Sequence, residues 1–103
     1  MNADAWVAAR ARGVPEALGA RVRAALSAQR TAEEPIADIL LDAAVSTLGD
    51  ALSAPEMTRA NALDVLAADA LATYAFEAAA EAGDLPGCAD RALGRIAKLG
   101  GAA

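Results

Sequence analysis

The chain has 103 residues, a formal net charge of −5 and a pI of about 4.5, and this acidic balance argues against a general nucleic-acid-binding protein. A chain of this length fits one domain, and it contains 32 alanines but only 3% aromatic residues. Because alanine has the highest helix propensity and strand-favouring residues are few, the composition predicts an all-α fold.

Residues 1–13 are predicted to form either a short helix or a loose arm. Asn2 or Asp4 could begin such a helix, and Gly13 could end it. A segment this short does not hold itself helical in isolation, so its order depends on where Trp6 packs.

The start of the chain, MNADAWVAARARG, differs from a secretory signal peptide. It contains an aspartate and two arginines where a signal peptide has its apolar region. Since the chain also has a single cysteine, the sequence predicts a cytoplasmic, reducing compartment.

Residues 14–103 are predicted to form a single helical domain. Apolar periodicity and capping residues place four helices near 15–30, 34–53, 57–82 and 85–99. Because short loops join them, the sequence predicts an antiparallel up-down four-helix bundle, to which the N-terminal segment would add a short extra helix if it is not a loose arm.

The first two of these helices have recognisable start signals. Pro15 suits a first helical turn, and Thr31 followed by Glu34 has the spacing of a capping box. In the second helix, Asp38 and Asp42 lie four residues apart and are expected to mark a narrow solvent-facing edge.

The third predicted helix, which Ser53 or Thr58 could cap and Gly83 could end, is apolar on two faces. At about 100° per residue, one face comprises Leu63, Leu66, Ala67, Ala70, Leu71, Tyr74 and Ala78. The nearly opposite face comprises Val65, Ala72, Phe76 and Ala79. Such a helix is normally either central in its domain or shared with a second chain.

The last helix has one apolar stripe, comprising Leu85, Cys88, Ala89, Ala92, Leu93, Ile96 and Leu99. Its basic residues, Arg91, Arg95 and Lys98, fall on the opposite side. We expect Cys88 to be a small buried hydrophobe, although its place one turn into a helix would also suit a reactive thiol.

Charge is unevenly distributed along the chain. Residues 1–30 have five arginines and two acids, a net charge of +3, whereas the rest has four bases and twelve acids, a net charge of −8. The simpler interpretation is that basic helices lie beside acidic ones, and the alternative is an N-terminal arm that binds nucleic acid or anionic lipid.

Homodimerisation would bury the second face of the third helix. The predicted interface contains Val65, Ala72, Phe76, Ala79 and Trp6. Asp69 borders this face and would be a partly buried charge that needs an arginine partner. If the chain is instead a monomer, Trp6 is expected to cover Phe76.

The available side chains limit the chemistry. The chain has no histidine, and it has neither of the common glycine-rich phosphate loops. The sequence therefore predicts no catalytic residue, cofactor, metal site or membrane span. It favours a non-catalytic helical interaction module (an adaptor, regulatory or accessory subunit) that forms a homodimer or binds another protein. The alternatives are a carrier of a small apolar ligand and a small enzyme that uses carboxylate or tyrosine chemistry.

Overall fold

The computed structural model describes residues 2–29 and 34–101, and all regular structure in these ranges is helical. The helices are α1 (Ala3–Arg10), α2 (Glu16–Ser27), α3 (Ile36–Ser53), α4 (Arg59–Glu81) and α5 (Leu85–Gly101). The predicted all-α class is confirmed. The four longer helices correspond to the four predicted ones, with ends that differ by three residues or fewer.

The N-terminal segment forms a helix rather than a loose arm. The Asn2 side chain accepts a hydrogen bond from the Ala5 backbone N–H at 2.8 Å and so caps α1. Gly13 has a φ of 83°, which a residue with a side chain rarely adopts, and it turns the chain towards α2.

Prolines precede both α2 and α3. Pro15 and Pro35 occupy the N-cap positions, where the missing backbone N–H leaves no intrahelical hydrogen bond unmade. The predicted capping box at the start of α3 depends on Thr31, which lies outside the described residues.

Local hydrogen bonds also set both ends of α4. The Thr58 Oγ1 accepts a hydrogen bond from the Asn61 N–H, and the Asn61 side chain accepts one from the Thr58 N–H, which completes a capping box. At the other end, Gly83 has a φ of 76°. The Asp84 N–H bonds to the Ala79 carbonyl at 2.9 Å, as in a Schellman motif.

Helix α4 lies at the centre and packs against α2, α3 and α5, with its most extensive interface on α3. This interface consists largely of alanines, and Ala43, Ala67 and Ala75 have no exposed surface. Such small side chains let two helix backbones approach closely. Leu40 and Leu71 are fully buried in the same core.

The two predicted apolar faces of α4 are instead the two edges of one broad buried arc. Its buried residues combine three from the first predicted face, one from the second and two that were assigned to neither face, namely Ala67, Leu71 and Ala78, then Ala79, then Ala68 and Ala75. Tyr74 and Phe76 are half-buried at its opposite edges. The placement of Leu66 on a core face was wrong, because this side chain is 55% exposed.

Helix α5 packs less completely than its apolar stripe suggests. Cys88 and Ala92 are buried, but Leu85, Leu93 and Ile96 are exposed. Ion pairs made by the basic side of the helix explain why these side chains are exposed. The Arg91 Nε donates a hydrogen bond to the Asp38 carboxylate at 2.9 Å, and Arg95 pairs with the Asp42 carboxylate.

These ion pairs correct two expectations. Asp38 and Asp42 were expected at a solvent edge of α3, and the arginines on the outer side of α5. The pairs turn the basic side of α5 towards α3, and part of the apolar stripe therefore faces outward.

Other ion pairs join basic residues near the N-terminus to the acidic helix α4. The Arg21 Nε lies 2.5 Å from the Asp64 carboxylate, and Arg10 pairs with Glu77 and Glu81. The interpretation that basic helices lie beside acidic ones is confirmed for these pairs.

Candidate functional site

An apolar groove lies between α3, α4 and α5, and we call it the α3–α5 groove. Its volume is about 280 Å³. Its walls include six larger apolar side chains, those of Leu41, Val45, Leu48, Val65, Phe76 and Ile96. Among the described residues that line it, Asp69 is the one that carries a charge.

Helical spacing explains why these residues meet. Leu41, Val45 and Leu48 recur every three or four residues along α3 and lie on one side of that helix. Val65, Ala68, Ala72 and Phe76 do the same on α4. Because Ala44, Ala68 and Ala72 lie between the larger residues, the floor of the groove is set back from its walls.

The rim of the groove is the most exposed apolar part of α5. Ile96 lines the groove and is 50% exposed, Val65 of α4 also lines it and is 38% exposed, and Leu93, which precedes Ile96 on α5, is 69% exposed. Full burial of one such aliphatic side chain is worth roughly 1.5–3 kcal/mol. Exposed apolar side chains grouped beside an apolar groove are typical of an interaction site.

Three of the five predicted interface residues, Val65, Ala72 and Phe76, line this groove. The other two are already covered by the chain itself, since Ala79 is 1% exposed and Trp6 is 4% exposed. Trp6 lies against Tyr74, on the opposite edge of α4 from Phe76, so it does not cover Phe76.

The exposed residues of α5 were not among the predicted interface residues. Leu93 and Ile96 were placed in the core because their stripe is regular. The spacing of the charged residues is a sequence signal for the orientation of α5 that is observed. Two aspartates lie four residues apart on α3 and two arginines lie four apart on α5, namely Asp38 and Asp42, and Arg91 and Arg95.

Asp69, the predicted buried charge, is exposed at the edge of the groove. Within the described ranges its side chain makes no ion pair, and its backbone carbonyl accepts a hydrogen bond from the Thr73 hydroxyl. A carboxylate in this position suits the polar rim of an interface rather than its dry centre.

A second pocket, the α1–α2–α4 pocket, lies on the other side of α4 and has a volume of about 420 Å³. Helix α1 forms one of its walls and is anchored by Trp6. The Trp6 Nε1 donates a hydrogen bond to the Glu81 carboxylate at 3.0 Å, and its ring meets Tyr74 edge-to-face at 6.0 Å. The Arg10 guanidinium lies 3.7 Å above the Trp6 ring centroid, a cation–π contact.

Cys88 is fully buried on the inner side of α5, and burial raises the pKa of its thiol. Since the thiolate is the reactive form, we expect a thiol reagent to modify the native protein much more slowly than the denatured protein. Labelling followed by mass spectrometry, with and without denaturant, measures the two rates. Equal rates would mean that α5 opens readily or that the thiol is reactive in the folded chain.

Several other acidic side chains near the core form ion pairs between helices. Asp38, Asp42 and Asp64 each bind an arginine. The described part of the chain contains no cluster of three or more potential metal ligands, and none of its helices is long and apolar enough to cross a membrane.

The structure therefore defines an all-α chain with an open apolar groove on one side of its central helix and a pocket on the other. The chain matches no protein-family model, no curated protein and no solved structure.

Proposed function

We propose that this protein is a non-catalytic helical interaction module, and that a second copy of the chain binds in its α3–α5 groove. The observation that carries the proposal is the exposed apolar edge of α5, at Leu93 and Ile96, beside a groove with apolar walls. Such a protein would act as an adaptor, a regulatory subunit or an accessory subunit in the cytoplasm.

The surface has the two features that a two-fold contact needs. Leu93 and Ile96 on α5 are exposed apolar side chains, and the groove beside them is lined in part by the small residues Ala68 and Ala72. In a two-fold interface the same patch is used on both chains, so the edge of each copy can enter the groove of the other. The Leu93 and Ile96 side chains of both chains would then be buried in the interface.

The charge distribution favours this contact as well. Of the groove residues that the structure describes, only Asp69 is charged, and its side chain is exposed, so it can stay hydrated when the interface closes. The interface therefore buries apolar surface without desolvating an unpaired charge, which would oppose association.

The finer arrangement of the helices belongs to the same proposal. Short connections between the four longer helices favour the antiparallel up-down order, with α1 as an additional short helix. The dimer would then consist of two such units in contact through α4 and α5.

Sedimentation velocity on the wild-type protein and two matched variants tests the proposal. The wild type should sediment as a dimer of the 10.3 kDa chain at micromolar concentration. Ile96→Glu should raise the dimer dissociation constant by at least about tenfold, because it places a charge at the centre of an apolar interface. Leu66→Glu replaces an exposed leucine on α4 outside the groove, and it should leave the dimer intact.

A wild-type protein that stays monomeric would overturn the dimer. In that case the groove could take a different protein or a small apolar ligand. Dissociation by Leu66→Glu and not by Ile96→Glu would place the interface on a different side of the molecule. Circular dichroism of both variants confirms that any monomer is folded.

A further inference from the structure

We propose that the α1–α2–α4 pocket binds a small amphipathic monoanion, a carboxylate with a short aliphatic tail. The site is separate from the α3–α5 groove, because it lies at the Tyr74 edge of α4 rather than the Phe76 edge. The proposal rests on its volume, its apolar walls and the two arginines in its lining.

The inner walls suit an aliphatic tail. Val7, Val22 and Leu26 are buried, and each contributes to the lining, together with the half-buried Tyr74. The volume of about 420 Å³ falls within the roughly 300–1,000 Å³ that is usual for small-molecule sites.

The charged residues of the lining suit an anionic head group. Arg12 and Arg23 both line the pocket and are exposed, so the head group can stay near water. Neither forms an ion pair within residues 2–29 and 34–101, whereas Arg10, Arg21, Arg91 and Arg95 all do. The two arginines in this lining therefore keep their hydrogen-bond donors available for a ligand.

One acid, Asp4, also contributes to the lining. Two arginines and one aspartate leave a local charge of +1, which matches a single carboxylate better than a dianion or a cation. Because Asp4 would repel the ligand, its removal should strengthen binding.

Gly19 shows how the pocket accommodates Arg23. A Cβ atom at Gly19 would lie 3.3 Å from the Arg23 Nη1, so the guanidinium lies across this glycine, which is itself part of the lining. The absence of a side chain at Gly19 leaves room for the guanidinium beside the pocket.

Isothermal titration calorimetry with three octyl probes tests the charge preference. Sodium octanoate should bind, 1-octanol should bind at least about fivefold more weakly, and octyltrimethylammonium should give no binding heat. Equal affinity for the anion and the cation, or no binding of octanoate, would overturn the proposal.

Variants of the charged residues locate the head group. Arg12→Gln combined with Arg23→Gln should weaken octanoate binding by about five- to tenfold and leave octanol binding unchanged. Asp4→Asn should tighten octanoate binding. Arg59→Gln is the control, since Arg59 is exposed but does not line this pocket. An equal loss in Arg59→Gln would show that only the overall charge matters.

Two alanines on α4 distinguish this pocket from the groove. Ala70 lines the pocket and Ala72 lines the groove, and both are half-buried. Ala70→Leu should block octanoate by filling the pocket, while Ala72→Leu should bind it as the wild type does. The opposite result would assign octanoate to the groove and overturn the proposal. Neither result bears on dimerisation, which sedimentation measures separately.

Discussion

Replacing Leu71 by alanine should lower the free energy of unfolding by about 2–5 kcal/mol. Leu71 is 0% exposed near the middle of α4, which packs against α2, α3 and α5. The substitution removes apolar contacts and leaves a cavity among neighbours that are largely alanines. Because alanine side chains are short, they cannot extend into the space, and we expect a loss towards the upper end of this range.

Urea denaturation followed by far-UV circular dichroism measures this effect. Domains are typically stable by about 5–15 kcal/mol, so a loss of this size is a large part of the total. Leu66→Ala is the matched control on the same helix, and it should change stability by less than about 1 kcal/mol because Leu66 is exposed. Equal losses in the two variants would contradict the orientation of α4 described above.

Replacing Trp6 by alanine should detach α1 from the rest of the molecule. An aromatic side chain lost from a core typically costs about 3–5 kcal/mol. Trp6 also carries the Glu81 hydrogen bond and the contacts with Tyr74 and Arg10. Since α1 has only eight residues, it should not stay helical once it is undocked.

Hydrogen exchange of the α1 amides distinguishes local detachment from global unfolding. In Trp6→Ala these amides should lose protection while those of α3 and α4 keep most of theirs. Trp6→Phe is the control, because it keeps an aromatic ring, and it should cost less than Trp6→Ala although it loses the N–H donor and part of the buried volume. Full protection of α1 in Trp6→Ala would mean that other contacts hold it.

The same variant separates the two proposals made above. Helix α1 forms a wall of the α1–α2–α4 pocket through Asp4, Val7 and Ala8, and none of its residues lines the α3–α5 groove. Trp6→Ala should therefore lose octanoate binding and keep the wild-type sedimentation behaviour.

Helix positions were readable from the sequence because the interactions that set them are local. Asn2 caps α1 through a residue three positions away, Thr58 and Asn61 form a reciprocal pair of the same span, and Gly83 ends α4 by its own backbone conformation. Composition likewise settled the fold class, since a chain so rich in alanine has few residues that favour strands.

The sequence was a weaker guide to which side of each helix is buried. Periodicity shows which residues of a helix share a side, but it does not show which side is covered or by what. On α4, the apolar pattern places Leu66 on a core face and assigns Ala68 and Ala75 to neither face. The wide apolar arc of this helix permits several rotations, and only its neighbours decide among them.

The candidate sites themselves were decided by contacts between distant residues. Arg91 and Arg95 meet Asp38 and Asp42 across 53 positions of the sequence, and Trp6 meets Glu81 across 75. The ion pairs between α5 and α3 turn α5 so that Leu93 and Ile96 face outward. The hydrogen bond between Trp6 and Glu81 holds α1 over the α1–α2–α4 pocket. The sequence alone determined the all-α class and the approximate bounds of the four longer helices, and it left the N-terminal segment as either a short helix or a loose arm. The groove and the pocket arose only from the tertiary structure, because ion pairing and burial between distant helices set the rotation of each one.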